Sequence, residues 1–228
     1  MSKSYQGRIL YTADLLVGSD RSGWDASVKK SLDQMWAAAS GRALINDIVA
    51  APKKVKIVPY YSTDINAATI PRSITHGTYK HRPVRGGTGV HNPSWARGTG
   101  RGTDVRVEFT PWRYHVNLQA AGLVHEMTHA AQLLRGVVFT NPMKWHFDTV
   151  AEFDAILVEN IFRCEIGQSI RRNHHGDTPM QGDRMIPHGG ELEARLDSFK
   201  ARMPGLADSL AQIDIPFNPL RQGARGSY

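Results

Sequence analysis

Between Asn117 and Gly136 the chain reads Asn-Leu-Gln-Ala-Ala-Gly-Leu-Val-His-Glu-Met-Thr-His-Ala-Ala-Gln-Leu-Leu-Arg-Gly. The segment predicts one helix, with Asn117 as N-cap and Gly136 as the residue that ends it. Apolar or small residues surround its polar groups on nearly every side, so the fold must bury this helix between other elements. His125 and His129 stand four residues apart, which brings both imidazoles to one helical face, within reach of a common ion. Glu126 is turned about 100° from His125, too far to be an ideal third ligand but suited to take a proton from water that the ion activates. A chain of this make-up carries His-Glu-x-x-His by chance about once in a hundred. A buried helix would also leave such groups costly without an ion.

The third ligand has to come from elsewhere. A histidine-based extension of the motif needs Gly at 132 and His at 135, and the chain has Gln132 and Arg135 there. The next source is Thr149 to Ile166, where Val150, Phe153, Leu157, Ile161 and Cys164 form a helical core stripe. Glu152, in its first turn, is the first choice, as a carboxylate presented by a second, antiparallel helix. Glu159, two turns on and nearly on the same face, is the alternative ligand, or else the acceptor that orients a metal-bound imidazole. Asp154 and Glu165 are expected to be solvated.

The rest of the chain alternates short strands and helices. Arg8–Thr12, Lys53–Pro59 and Asp104–Thr110 read as strands, the last two by period-two alternation. Gly18–Gly23 reads as turn; a helix runs from Ser27 with Gly41 as its stop, and Ala43–Val49 forms a second, ended by Pro52. Thr75–Thr103, rich in Gly, Arg, His and Pro, reads as a loop, and lacks the Gly-Lys-Ser/Thr ending of a phosphate loop. Its part from Arg82 to Arg101 is expected to border the cleft as a mobile lip whose arginines favour acidic substrate residues. The strand at 104–110 is expected to offer an exposed edge to an extended peptide. These elements predict a single α+β domain over residues 1–228: a small twisted sheet, the His-Glu-x-x-His helix, and a second helix with the third ligand.

A lone cysteine, Cys164, excludes an internal disulfide and reads as a small core residue made in a reducing compartment. No stretch is long and apolar enough to span a membrane, and no cleaved signal peptide is expected. A net charge of +7 favours anionic partners without naming one.

His125-Glu-Met-Thr-His129-Ala, followed by Ala151-Glu-Phe-Asp-Ala155 and Val158-Glu-Asn-Ile-Phe-Arg163, resembles the compact zinc metallopeptidase effectors of bacterial type III and type VI secretion systems. Gly100–Val105 and Ile215–Pro219 add to the likeness, which spans roughly residues 100–175 and the tail. The resemblance implies a zincin-like fold of gluzincin type, with Zn2+ held by His125, His129 and Glu152 and with Glu126 as base. It implies an effector made in the bacterial cytoplasm and secreted without a cleaved signal peptide. Such a toxin cleaves a protein or peptide substrate in a competitor's periplasm or a host cytosol, and pairs with an immunity protein or a secretion-system carrier. Candidates for stabilising the oxyanion are His174, His175, Tyr114 and His115. Trp95, Trp112 and Trp145 read as core or cleft wall. The alternatives are an amidase or peptidase acting on peptidoglycan, whose anionic polymer suits the charge, and a basic nucleic-acid-binding module built on the Arg/Gly loop, disfavoured because that loop interleaves only Trp95 as an aromatic.

Overall fold

The computed structural model describes residues 2–14, 19–60, 67–80, 83–86, 94–139, 149–168, 172 and 190–221. Strands β1 (Lys3–Tyr5) and β2 (Ile9–Tyr11) lead into helices α1 (Ser19–Ala37) and α2 (Ala39–Ala50) and then β3 (Val55–Val58). The chain continues through β4 (Ala67–Pro71), α3 (Ile74–Gly77), β5 (Pro83–Gly86), β6 (Ser94–Arg97) and β7 (Val105–Phe109). Two 3-10 turns, Pro111–Arg113 and Val116–Leu118, precede α4 (Gln119–Arg135), followed by α5 (Val150–Glu165), α6 (Gly190–Arg202) and α7 (Pro204–Ala211).

The architecture is α+β, with a mixed five-stranded sheet in the order β1-β2-β3-β7-β4 and a separate β5-β6 hairpin. The α1–α2 connection makes β2 and β3 parallel, and β3 and β7 are parallel as well. Alternation sorts the faces: Ile57 and Val107 are fully buried toward the helices, while their neighbours Lys56 and Arg106 face solvent. Trp24 of α1 donates its indole N–H to the Phe109 carbonyl at 2.8 Å, tying that helix to the end of β7. Helix α4 lies centrally, against α1, α2, α5, β4 and β7. Its last turn is tied to α2 by a fork from Arg135 to both Asp47 carboxylate oxygens, at 2.6 and 2.9 Å.

Several sequence expectations are revised. Ser19–Gly23 belongs to α1 rather than to a turn, because Trp24 must be carried into the core by a continuous helix. The break between the first two helices falls at Ala38, not Gly41. Gly41 sits inside α2 because a Cβ there would lie 2.2 Å from the Met35 carbonyl oxygen, so two helices meet backbone to backbone. Asn117 is part of a 3-10 turn, and α4 begins at Gln119. Gly136 does end α4, at φ +68°.

The Thr75–Thr103 segment is not simply a loop, since it contains the end of α3 and the β5-β6 hairpin. Its described glycine-rich part is bonded down. Thr99, Gly100, Gly102 and Thr103 donate their N–H groups to Thr75, Thr78, His76 and Leu133. Gly100 and Gly102 thereby press on Gly136 so closely that a Cβ at 136 would meet their backbone at 2.5–2.6 Å. This stretch seats the end of α4, with Arg101 exposed; residues 82 and 87–93 of the expected lip lie outside the described residues. Finally, β7 is an interior strand, and the edge beside α4 is β4.

Candidate metal centre

Helix α4 presents His125 and His129 on one face, and α5 runs along it. Thr149 caps α5, its hydroxyl accepting the Glu152 N–H at 3.3 Å. A Thr followed three residues later by Glu is the signature of a reciprocal cap, but here the Glu152 side chain turns to the histidines instead. Its Oε2 lies 3.2 Å from His125 Nε2, its Oε1 lies 3.3 Å from His129 Nε2, and the two Nε2 atoms are 3.3 Å apart. His125, His129 and Glu152 form a group that could hold a metal ion.

Two tests bear on whether an ion fits. Ligand atoms about 2.0–2.1 Å from a tetrahedral ion are about 3.3 Å from one another; the two Nε2 atoms have that spacing, and each lies 3.2–3.3 Å from a different oxygen of the Glu152 carboxylate. The chemistry agrees, because a Nδ1-protonated His125 aims its Nε2 lone pair at the same point as the neighbouring imidazole and carboxylate, a convergence of negative ends that a cation relieves. Burial works against charge on His125, yet Glu152 and Glu159 raise its pKa to about 9. Burial likewise opposes ionisation of Glu152, but His125 and His129 hold its carboxyl far below the ordinary range. The field that retains a proton at this point also retains a metal ion.

Glu159 stands against the Nδ1 side of His125, away from the Nε2 atoms that Glu152 faces. It is fully buried, and its Oε2 accepts from His125 Nδ1 at 3.1 Å, which sets the tautomer with Nε2 free to ligate. Arg163 donates to its Oε1 at 2.6 and 2.8 Å, and Arg172 to its Oε2 at 3.0 Å. Against the cost of burial, His125 and these two cations hold the Glu159 carboxyl down to about 2. The Asn160 side chain bonds both the N–H and the carbonyl of Arg172 at 2.7 Å, which seats that arginine.

Glu126 is 9% exposed. Thr69 of β4 donates its hydroxyl to Glu126 Oε2 at 2.6 Å and also stands 3.0 Å from the Glu126 carbonyl oxygen. Tyr114 lies against Gly122, where a Cβ would fall 2.5 Å from its ring, and its ring packs on Phe109. Since residues 122, 125 and 129 share one helical face, Tyr114 flanks the histidines by one turn.

His115 is exposed, Trp112 is 53% exposed rather than core, and His174, His175 and Trp145 lie outside the described residues. Asp154 and Glu165 are not solvated. Asp154 is fully buried, with Arg202 at 2.7 Å and Gln132 at 2.6 Å on its Oδ2; burial pushes its carboxyl up, while the arginine opposes that. Glu165 caps α2 by accepting from the N–H groups of Ala39 and Ser40. Cys164, as expected, packs against the core as a free thiol. Thr69, Asn160 and Arg172 are residues that spacing along the chain does not single out, because each acts through a fold contact. Among the described residues no helix is long and apolar enough to cross a membrane. No protein-family model matches the chain, and no curated protein matches it.

Proposed function

We propose that this chain is a zinc-dependent peptidase of zincin-like, gluzincin type, a secreted bacterial effector that hydrolyses peptide bonds in a target-cell protein. The observation that carries the reading is the convergence of two Nε2 atoms from α4, 3.3 Å apart, and the Glu152 carboxylate from α5, with Glu126 directly following His125 on α4. His125, His129 and Glu152 would hold the ion and Glu159 would orient the His125 ring. Zinc, when bound, polarises a carbonyl and lowers the pKa of coordinated water to about 7. Glu126 then takes the proton of the attacking water and delivers it to the departing amine. The edge strand β4, whose Thr69 reaches Glu126, is suited to receive an extended peptide by main-chain pairing.

The test combines metal analysis with cleavage. The purified protein should carry one zinc per chain, and Glu152→Ala should lower that content with the fold retained. Glu126→Gln should keep zinc and lose at least ~10²-fold in rate. A comparison of cleavage products in target-cell extracts, with the Glu126→Gln protein as control, then identifies the substrate. Cleavage undiminished in Glu126→Gln would remove the mechanism.

A further inference from the structure

Glu126 has three rotatable side-chain bonds, and a base placed by α4 alone could swing its carboxylate away from the metal centre. In the structure one of its oxygens is held from outside the helix. Thr69 stands at the middle of β4, opposite Val107 of β7, and its Oγ1 lies 2.6 Å from Glu126 Oε2. The hydroxyl has one proton to donate, and the side-chain carboxylate oxygen at 2.6 Å is a better-placed acceptor than the Glu126 carbonyl at 3.0 Å, which the helix ladder already engages. Thr69 is itself rigidly placed, because its strand is registered on β7 and a β-branched side chain has few rotamers.

The fold does not need this bond. Strand β4 is held by its ladder to β7, and the Arg72 N–H donates to Asp104 at its end. Alternation from that bonded pair turns the main chain of Ala68 and Ile70 toward β7 and that of Ala67 and Thr69 toward the outer edge. The residue that touches the base is therefore one whose backbone also faces the side where a peptide would lie.

We propose that Thr69 is a positioning residue of the reaction, its hydroxyl fixing Oε2 of Glu126 so that Oε1 is directed to the attacking water. The inference rests on the metallopeptidase reading above for its reaction, but the hydrogen bond can be tested without any substrate. Acetohydroxamate is a suitable probe, since it chelates zinc through two oxygens and passes its hydroxyl proton to an adjacent carboxylate.

Zinc-loaded wild type, Thr69→Val, Glu126→Ala and the double variant form a cycle read by acetohydroxamate affinity. Thr69→Val should retain zinc and weaken the probe about 10-fold, the scale of one hydrogen bond to a charged group, and should change nothing in the Glu126→Ala background. Thr69→Ser should restore most of the loss. On a peptide substrate the same Thr69→Val change should lower kcat about 10- to 100-fold with KM little altered. Equal weakening in both backgrounds, no weakening in either, or no binding of the probe to the zinc-loaded wild type would overturn the proposal. If the probe cycle gives the expected coupling while no peptide is cleaved, Thr69 keeps its role and the peptidase reading fails.

Discussion

Glu159→Gln separates metal affinity from stability at one buried position. Glutamine keeps the shape of the side chain but removes the charge that faces Arg163 at 2.6 Å, Arg172 at 3.0 Å and His125 at 3.1 Å. Hydrogen bonds to charged groups contribute about 1.5–3 kcal/mol each, and breaking a buried pair costs about 3–5 kcal/mol, so a loss of about 3 kcal/mol is expected for a variant that keeps one acceptor oxygen. For a chain of this size that corresponds to about 6 to 12 °C in the Tm of the metal-free protein. Loss of the acceptor on His125 Nδ1 should weaken zinc by about 10- to 100-fold, measured by competition with a chromophoric chelator. Glu165→Gln is the control on the same helix. It weakens the α2 cap at a cost of about 1 kcal/mol and should leave zinc affinity unchanged. Wild-type zinc affinity in Glu159→Gln, or an equal loss in both variants, would refute the assignment of Glu159 as the group that orients His125.

Gly41→Ala should lower Tm although alanine is the better helix former, because the new Cβ would meet the Met35 carbonyl oxygen at 2.2 Å; a cost of about 1–3 kcal/mol by calorimetry is expected, and a rise in Tm would contradict the contact. Tyr5 donates to the Leu32 carbonyl, and burial, with Asp33 nearby, raises its phenol to about 12 from 10. Its neutral form therefore contributes stability that is whole below pH 10 and lost as pH rises toward 12. Tyr5→Phe should flatten the alkaline fall in stability across that interval, and an unchanged slope would rule the contribution out.

The parts of the molecule legible in sequence are those set by local spacing. His125 and His129 share a face because helices repeat every 3.6 residues, and Gly136 ends α4 because the last turn needs a left-handed residue there. Val55–Val58 and Val105–Phe109 were readable from alternation for the same reason. Glu152 against Glu159 could not be decided by periodicity, since both lie on nearly one face and only the docking of α5 on α4 determines which reaches the Nε2 atoms. Asp154 and Glu165 look like surface acids until Arg202 and the start of α2 arrive from distant parts of the chain. The Gly/Arg run reads as slack chain, whereas its described Gly100 and Gly102 permit close backbone contact with the end of α4. The edge of the sheet was misplaced because β4 joins β7 antiparallel from a segment with little alternation.

The bond from Thr69 to Glu126 spans 57 residues, whereas the three metal donors lie between positions 125 and 152 on consecutive helices. Closing a short loop costs less chain entropy than closing a long one, so a helical pair can assemble and capture an ion before the sheet is complete. Positioning of the base by Thr69 waits for β4 to find β7. During synthesis or refolding, metal uptake and full catalytic competence should thus arrive as two separable events, with an interval in which the chain is loaded but slow. Under the proposed function, that order delays full activity until β4 has paired with β7.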